Sequence, residues 1–465
     1  MLNRFKILVT GVLISWCLFG FGQSSASCNK LLHQYLEIQQ KRVGFNGVVL
    51  ITKNGHPLYK QIIGKASFEL NVPLSLNSVF KIASITKSFT AMLVLLASHE
   101  NKVNLNDSLA TFFPELKDTA WRKITIEQLL SHRSGIPHDE GIADYWPLTS
   151  LLSLDRQQAL QQIFNMKLLF APGTDVKYSS PGYFLLASIL ENIYHKDYAA
   201  ILKEKITDRL GICHTGIFNT KLIVPGMSSS YHLLGDSLIV APYRDFSLMK
   251  GSGDMYANAL DLSKWLNSFG SDVWDSKIKE QMFSPHTDKS VHNNGDRYGY
   301  GWFLRAATKN SKPACYVGGG SYGCSAIAVW YPSEKISIVV LSNVSTLPVT
   351  EIWNDIEKII FNKPFELPQL KENVSISAGQ LKNFTGLYKS NTGAMELMIT
   401  GNGGQLYAKL GNNPAFEIYP DSSLEFYGKK VNIRFTFQVD GTGAVTGMVA
   451  NGRGQIITFN KDRHE

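Results

Sequence analysis

The sequence predicts an α/β protein in which a mixed sheet carries an inserted helical lobe and a small antiparallel β domain follows. Strand-like runs occur early, at Gly47–Thr52 and Pro57–Ile63, and return at about 314–341. Between Ser84 and about Phe269, apolar residues recur mostly at helical spacing. Early and late strands around a helical region are typical of one mixed sheet with the helical part inserted as a second lobe.

The C-terminal part of the chain changes character after the late strands. Those strands are predicted at Ala314–Val317, Ser325–Tyr331 and Ile336–Leu341, and a helix at about Val349–Ile360 follows. Residues 363–378 are polar with two prolines and are predicted to be a linker between a domain of residues 23–362 and a domain of residues 379–465. The last domain has about eight short alternating runs, which predicts a small antiparallel barrel or sandwich, in the barrel case lipocalin-like.

Composition excludes several classes of protein. The 465 residues are 44% hydrophobic and 18% charged, so the chain can fill a large core and is not disordered throughout. A mean hydropathy of −0.06 and the lack of repeated long apolar runs exclude a polytopic membrane protein. The formal charge of +8 is small for this length and no Lys/Arg cluster concentrates it, so no nucleic-acid partner is expected.

The N-terminal segment has the layout of a secretory signal peptide, predicted at residues 1–22. Arg4 and Lys6 precede an apolar stretch from Ile7 to Phe21, and small and polar residues come next. The apolar stretch is short for a membrane span, so no stable transmembrane anchor is expected. Lipid attachment at Cys28 is not favoured, because the residues before it lack the expected Leu. A periplasmic or secreted protein is therefore predicted.

Two cysteines, Cys315 and Cys324, flank a glycine-rich turn and could face each other across two strands. A disulfide between them and two separate buried thiols are both open, because an exported protein meets an oxidising environment. The remaining cysteines have neither a disulfide-framework pattern nor metal-ligand spacing.

A Ser-x-x-Lys segment at Ser84 and Lys87 opens an apolar helical run. Residues three apart share a helix face, so the hydroxyl and the amine can project side by side. A serine at a helix N-terminus also lies where developing negative charge is favoured. A second match, from Ser276 to Lys279, lies in a polar stretch and is interpreted as solvated surface.

Further segments follow Ser84 in order and carry a resemblance to a known family. Together they resemble the serine β-lactamase and penicillin-binding-protein superfamily, in the branch of class C β-lactamases, D-Ala-D-Ala carboxypeptidases and related esterases. The resemblance covers about Phe45 to Phe361 and implies a β-lactamase/transpeptidase-like fold. The segments are Ile124–Pro137, Ala171–Tyr183, Gly251–Tyr256 with Asp261 and Leu262, and Tyr298–Trp302.

The resemblance implies a catalytic set of three residues. Ser84 corresponds to the acylated nucleophile, Lys87 to its motif partner, and Tyr178 to the tyrosine of the family's Tyr-x-Asn element, which acts as general base with the lysine. The chemistry agrees, because a serine hydroxyl is a poor nucleophile unless a base lies within hydrogen-bond reach. Either neutral Lys87 or a phenolate that Lys87 stabilises could supply that base. His132 is expected to be a packed or capping histidine.

Two positions depart from the family pattern. Ser180 replaces the Asn of Tyr-x-Asn, and Val317 stands where the family has Lys or His before x-Gly. That cation helps to hold a substrate carboxylate, and an uncharged residue there is similar to the family VIII carboxylesterases. Gly318 and Gly320 are expected to let the strand approach an acyl group, and the N–H groups of Gly320 and Ser84 to form the oxyanion hole. Gly319 belongs to the same predicted binding strand.

Other motif matches at this turn fail in their context. Residues 319–323 match the Gly-x-Ser-x-Gly nucleophile elbow and residues 318–323 match Gly-x-Gly-x-x-Gly, but an apolar strand rather than a helix follows them. No His-Glu-x-x-His or His-x-His-x-Asp segment occurs, so neither a metal nor another cofactor is predicted.

The predicted function is an exported serine hydrolase that works through an acyl-enzyme on an ester or amide and is carboxylesterase-like. The first alternative is a β-lactamase or D-Ala-D-Ala carboxypeptidase. The second is a binding or sensor protein with the penicillin-recognising fold and no turnover, which the substitutions at Ser180 and Val317 motivate. The expected partners are small-molecule esters, β-lactams or peptides.

Overall fold

The described residues of the computed structural model form two compact units. Within the described ranges, one comprises the residues up to His33, Asn46–Leu234 and the residues from Leu238 to Phe365, and the other comprises Gln34–Phe45, Ser237 and the residues from Glu366 onward. The structure describes residues 10–234, 237–291, 295–309, 311–369, 374, 376–391, 393, 395–411, 415–428, 433–452 and 455–462.

The strands of the first unit lie mostly at its two ends in sequence, as the pattern of apolar runs predicts. They are β1 (Gly47–Lys53), β2 (His56–Ile63), β3 (Lys65–Ser67), β4 (Val72–Pro73), β5 (Phe80–Lys81), β6 (Gly216–Ile217), β7 (Tyr231–Leu234), β8 (Ser237–Val240), β9 (Met255–Ala257), β10 (Arg297–Tyr298), β11 (Phe303–Arg305), β12 (Ala314–Ser321), β13 (Cys324–Tyr331), β14 (Ile336–Ser342) and β15 (Val344–Ser345).

The main sheet has seven strands in the order β10-β11-β12-β13-β14-β1-β2. Strands β13 and β14 are buried along their whole length, which suits their central position and explains their unbroken apolar sequence. Strand β1 pairs with β14 in antiparallel register, with Val49 opposite Val340. The early and late parts of the chain therefore meet in one sheet, and the predicted α/β fold is confirmed. All pairings in this sheet are antiparallel, so it is not the mixed sheet that was predicted.

The helices follow mainly between β5 and β10, and α2 is the most deeply buried among them. Its residues from Thr86 to Ala97 are all buried, so it forms the centre of the helical lobe. The helices are α1 (Thr10–Val43), α2 (Thr86–His99), α3 (Leu109–Phe112), α4 (Thr119–Arg122), α5 (Ile126–Leu130), α6 (Arg156–Phe164), α7 (Ser180–Tyr194), α8 (Tyr198–Leu202), α9 (Asp208–Leu210), α10 (Ala259–Ser268), α11 (Ser276–Phe283) and α12 (Val349–Ile360).

The register of β12 and β13 overturns the possible disulfide between Cys315 and Cys324. Cys315 lies opposite Trp330, whereas Cys324 lies opposite Ser321 at the turn. The two thiols are thus about 20 Å apart along the ribbon, far beyond disulfide reach. Both are buried free cysteines, and burial raises the pKa of each thiol to about 12.

The second unit contains a closed eight-stranded barrel after a short helix, α13 (Ala378–Leu381). Aromatic side chains fill its interior, including Phe426, Phe435 and Phe437. The predicted small antiparallel β domain is confirmed, and of the two predicted forms it is the barrel. Its strands are β16 (Gly386–Ser390), β17 (Glu396–Asn402), β18 (Gln405–Leu410), β19 (Phe416–Pro420), β20 (Glu425–Gly428), β21 (Ile433–Val439), β22 (Val445–Gly452) and β23 (Gln455–Lys461).

The predicted signal peptide lies partly outside the described residues. Its basic region, with Arg4 and Lys6, is among the residues that are not described, and the rest of the segment from Thr10 belongs to α1. Within the described ranges, the structure contains no helix that combines the length and apolar character of a membrane span.

Candidate active site

Ser84 lies in a 3-10 turn, Ala83–Ile85, that leads directly into α2. Ala83 has a positive φ of 44°, which a residue with a side chain adopts at a cost in conformational energy. The Thr86 hydroxyl donates to the Ala83 carbonyl oxygen at 2.6 Å and closes the turn. The strained turn leaves Ser84 partly exposed while the residues on either side of it are buried.

Lys87 lies at the first turn of α2, and its side chain is fully buried. Its Nζ lies 3.2 Å from Ser84 Oγ and 3.0 Å from Ser180 Oγ, and it donates to the Ser252 carbonyl oxygen at 2.8 Å. The predicted pairing of Ser84 with Lys87 is therefore present. Ser180, which replaces the family's Asn, also contacts the amine.

Burial lowers the pKa of Lys87 to about 7, since desolvation penalises the charged form. The charges of Asp139 and Asp254 raise this pKa, and that of Arg244 lowers it. At neutral pH a substantial share of the amine is therefore uncharged. A neutral amine has two N–H groups and a lone pair, which suits one carbonyl acceptor and two hydroxyls that can each donate or accept.

Tyr178 lies just before α7, where the Ser179 side chain caps the helix by accepting from the Gly182 N–H at 3.2 Å. The Tyr178 hydroxyl shares a hydrogen bond with Ser84, and Lys87 Nζ is 4.7 Å from the centre of its ring. Burial raises the pKa of Tyr178, although the hydrogen bond with Ser84 acts in the opposite direction. Near neutral pH, Tyr178 is therefore a phenol and not a phenolate.

His132 packs against Tyr178 and does not face Ser84 among the contacts that the structure describes. Its side chain is fully buried, its Nδ1 accepts from the Ser179 N–H at 3.2 Å, and its ring centre is 4.5 Å from that of Tyr178. Tyr183 and Tyr298 lie against the same imidazole. The expectation of a packed histidine is confirmed. The His132 ring packs against the ring of Tyr178 and helps to hold it in place.

The glycine run of β12 borders the site, and the closest approach occurs at Gly319 rather than at Gly318 or Gly320. A Cβ added to Gly319 would lie 2.1 Å from the Ile82 carbonyl oxygen, so only glycine fits there. A Cβ on Gly320 would meet no atom within 4 Å. Gly320 thus faces open space, while Val317 is buried and uncharged.

Sequence reasoning missed a group of polar residues beside the predicted set. His138 Nδ1 accepts from the Ser180 N–H at 3.3 Å and lies 3.4 Å from Asp139 Oδ1. Asp139 in turn pairs with Arg244 Nη2 at 3.0 Å. No spacing signal links these residues, because His138 and Arg244 come from loops that only the fold brings together.

Several proteins are similar in sequence to most of this chain. Penicillin-binding protein 4* of Bacillus subtilis is 26% identical over 431 residues, covering 88% of this chain and 93% of that protein. Teichoic acid D-alanine hydrolase of Staphylococcus aureus is 25% identical over 331 residues, covering 69% and 76%. Protein flp of Staphylococcus aureus is 27% identical over 323 residues, which span 68% of this chain and 62% of its own length.

Solved structures share the fold. The octameric penicillin-binding protein homologue from Pyrococcus abyssi superposes with a TM-score of 0.66 at 21% identity, covering 93% of this chain and 98% of that one. EstCE1, a hydrolase with promiscuous acyltransferase activity, gives a TM-score of 0.59 at 21% identity, covering 70% and 94%. The family model described as Beta-lactamase matches residues 30–356. Since this match spans well over half of the chain, the protein belongs to the Beta-lactamase family.

Proposed function

We propose that this protein is a serine hydrolase that cleaves an ester or amide through an acyl-enzyme on Ser84. The observation that carries the proposal is the buried amine of Lys87, whose pKa is lowered to about 7 and whose Nζ lies 3.2 Å from Ser84 Oγ. An uncharged amine at hydrogen-bond distance can accept the serine proton and convert a weak nucleophile into an effective one.

In the acylation step, Ser84 Oγ forms a bond to the substrate carbonyl carbon while its proton moves to Lys87. The N–H groups of Ser84 and Gly320 stabilise the oxyanion. The bond to the leaving group then breaks, and the leaving group takes a proton from the Lys87 ammonium through the Tyr178 hydroxyl. This role needs Tyr178 as a neutral phenol, which its raised pKa supports. In the second half, water attacks the acyl carbon and gives a proton to Lys87. Lys87 returns this proton to Ser84 Oγ as the bond between the acyl carbon and Oγ breaks, and the acid leaves.

The proposed substrate class is carboxylesterase-like. Val317 supplies no charge at the position where a cation holds a carboxylate in the resembling enzymes, and Gly320 borders open space that an acyl group can occupy. The names of two similar proteins, a hydrolase with acyltransferase activity and a teichoic acid D-alanine hydrolase, support acyl transfer to water.

A β-lactamase or D-Ala-D-Ala carboxypeptidase is the second candidate. Penicillin-binding protein 4* of Bacillus subtilis, which is similar to this chain over 93% of its own length, supports it. A binding protein without turnover is less well supported. Ser180, one of the substitutions that motivate it, keeps a contact to Lys87 at 3.0 Å at the position of the family's Asn.

Adduct mapping tests the proposal. Intact protein is exposed separately to a fluorophosphonate, p-nitrophenyl butyrate and a penicillin, digested, and examined by mass spectrometry. We expect a covalent adduct on Ser84 with the fluorophosphonate and a transient acyl adduct with the ester. The absence of any adduct on Ser84 with all reagents would overturn the acyl-enzyme proposal. Hydrolysis of a cephalosporin as fast as the ester would favour the second candidate.

Export through the N-terminal segment is part of the proposal. The charged and apolar regions of residues 1–22 support it. N-terminal sequencing of protein recovered from the periplasm or medium should begin after Gly22 or Ala26. Recovery only in the cytoplasm with residues 1–22 retained would contradict export.

A further inference from the structure

A buried arginine lies at one end of the glycine run of β12. The Arg244 side chain is only 5% exposed, and its Nη2 donates to Asp139 Oδ2 at 3.0 Å. Its Nη1 donates to Ser321 Oγ at 3.3 Å, and Nη2 also hydrogen-bonds the Tyr145 hydroxyl. The guanidinium carbon lies 5.0 Å from the ring centre of Tyr145 and 5.0 Å from that of Trp146. The arginine is therefore held in one place by contacts on several sides.

The position of Arg244 relative to Ser84 follows from the strand geometry. Side chains two apart share a face, so Val317, Gly319 and Ser321 lie on the same face of β12. The segment that leads to Ser84 crosses this face at Gly319, where an added Cβ would lie 3.4 Å from Ala83 Cβ. Val317 and Ser321 are each about 7 Å from Gly319, on opposite sides. Arg244 thus places a cation on the side of Ser84 opposite the uncharged Val317.

The guanidinium has donors to spare. It carries more N–H groups than its contacts to Asp139, Ser321 and Tyr145 use. Among the residues that the structure describes, its Nε is buried and has no hydrogen-bond partner. A buried donor without an acceptor is costly, and a charged acceptor satisfies a guanidinium better than a neutral one. A carboxylate placed beside Ser321 would give the guanidinium a further charged acceptor.

The neighbouring surface is open and aromatic. Trp146 is 53% exposed, and its ring centre lies 6.0 Å from that of the partly buried Tyr322, the residue after Ser321. Planar and apolar parts of a ligand can lie on these rings while its charged end reaches inward. The arrangement therefore combines a buried cation with an accessible aromatic border at the end of the binding strand.

We propose that Arg244 and Ser321 form a carboxylate subsite, so that the preferred substrates carry a carboxylate in the half that lies on the Ser321 side of the reacting bond. The proposal rests on the acyl-enzyme function of Ser84 and adds the substrate class. Arg244 takes up the carboxylate through its free N–H groups while Asp139 keeps the guanidinium in position. Substrate charge is thus recognised at the opposite end of the glycine run from Val317.

Matched ester pairs test the substrate class. The first pair is p-nitrophenyl valerate and the mono-p-nitrophenyl ester of glutaric acid, which differ in a carboxylate at the end of the acyl half. The second is phenyl acetate and 4-carboxyphenyl acetate, which differ in a carboxylate on the leaving group. We expect kcat/KM to favour the anionic member of one pair by roughly ten- to a hundredfold, the range of a charge-assisted hydrogen bond. No preference for the anion in either pair would overturn the proposal.

Variants then assign the preference to the arginine. Arg244→Gln should reduce the anion-to-neutral ratio to near one, and Arg244→Lys should keep part of it. Because Arg244→Gln alone leaves the buried charge of Asp139 uncompensated, the double variant Asp139→Asn/Arg244→Gln removes both charges and guards against misfolding. A preference for the anion that persists in the folded double variant would overturn the proposal.

Fluorophosphonate labelling of Ser84 separates this inference from the proposed function. If wild-type Ser84 is labelled but the enzyme does not prefer anionic esters, the carboxylate subsite is contradicted and the acyl-enzyme function is not. A wild-type enzyme that labels at no serine contradicts the acyl-enzyme function itself.

Discussion

The two units of the protein differ in what they bury. Every residue that the structure describes as both charged and buried lies in the first unit, and Lys87, Asp254 and Arg244 are among them. In the barrel, the buried residues are almost all apolar, and Ser390 is the described polar exception. A buried charge costs free energy unless it is well paired. The first unit therefore includes a desolvation cost that the barrel does not have.

On the proposed function, this difference separates positions expected to serve chemistry from positions expected to serve stability. Around Ser84, burial brings the pKa values of Lys87 and Asp254 to about 7, where a proton can be taken up or released. In the barrel, Phe384, Phe426 and Phe437 pack edge to face or tilted, with ring centres 4.8 to 5.4 Å apart. We expect substitutions in the first group to change rates and those in the second to change the free energy of unfolding.

The largest expected effect comes from Ser84→Ala. Removal of the nucleophile should lower kcat/KM for p-nitrophenyl butyrate by roughly a thousandfold or more, because the acyl-enzyme can no longer form. Steady-state hydrolysis measures the loss, and circular dichroism checks the fold.

Ser276→Ala is the matched control, since Ser276 begins the second Ser-x-x-Lys match, at the start of α11. It should leave the rate within about twofold, as expected of a surface substitution. Equal losses in the two variants would show that the Ser84 effect is not specific.

Lys87→Met should lower the acylation rate constant by roughly a hundred- to ten-thousandfold, the usual contribution of a general base. Methionine keeps the unbranched shape of the side chain but cannot accept the serine proton. The measurement is single-turnover acylation, which isolates the step that needs the amine. A variant with near wild-type acylation would show that the proton goes elsewhere.

Phe437→Ala in the barrel should change stability rather than chemistry. Truncation of this buried ring should lower the free energy of unfolding of the barrel by about 3–5 kcal/mol. Val439→Ala on the same strand is the control, because Val439 is 40% exposed and should cost under about 0.5 kcal/mol. Chemical denaturation followed by circular dichroism measures both variants. A smaller loss for Phe437→Ala than for Val439→Ala would contradict the assignment of the barrel core.

Local patterns predicted much of the fold. The strands from Gly47 to Ile63 and from Ala314 to Leu341, and the helix at Val349–Ile360, all occur where apolar periodicity placed them. The eight barrel strands follow from alternating runs between turn residues. The juxtaposition of Ser84 with Lys87 was predictable too, since it depends on neighbours along one helical turn.

Other features depend on contacts between distant parts of the chain. Asp139 and Arg244 are 105 positions apart, and no motif connects them. The Ser252 carbonyl oxygen is a backbone group, so no residue type marks it as a partner of Lys87. The sequence left a disulfide and two separate buried thiols both open for Cys315 and Cys324. The structure selects the separate thiols, because the strand pairs extend well beyond the turn and carry Cys315 to the far end. Contacts between segments that are distant in sequence, rather than local patterns, decide each of these points.

The pH dependence of Ser84 acylation tests the central claim that neutral Lys87 accepts the serine proton. The pKa of the folded lysine is lowered to about 7, so the amine is protonated and unable to accept below that pH and neutral above it. The rate of fluorophosphonate labelling, followed from about pH 5.5 to about pH 9, should therefore rise with an apparent pKa near 7 and then level off. The residual rate of Lys87→Met should lack this transition. A wild-type rate that is flat across this range, or that rises only near the usual pKa of lysine, would contradict the account.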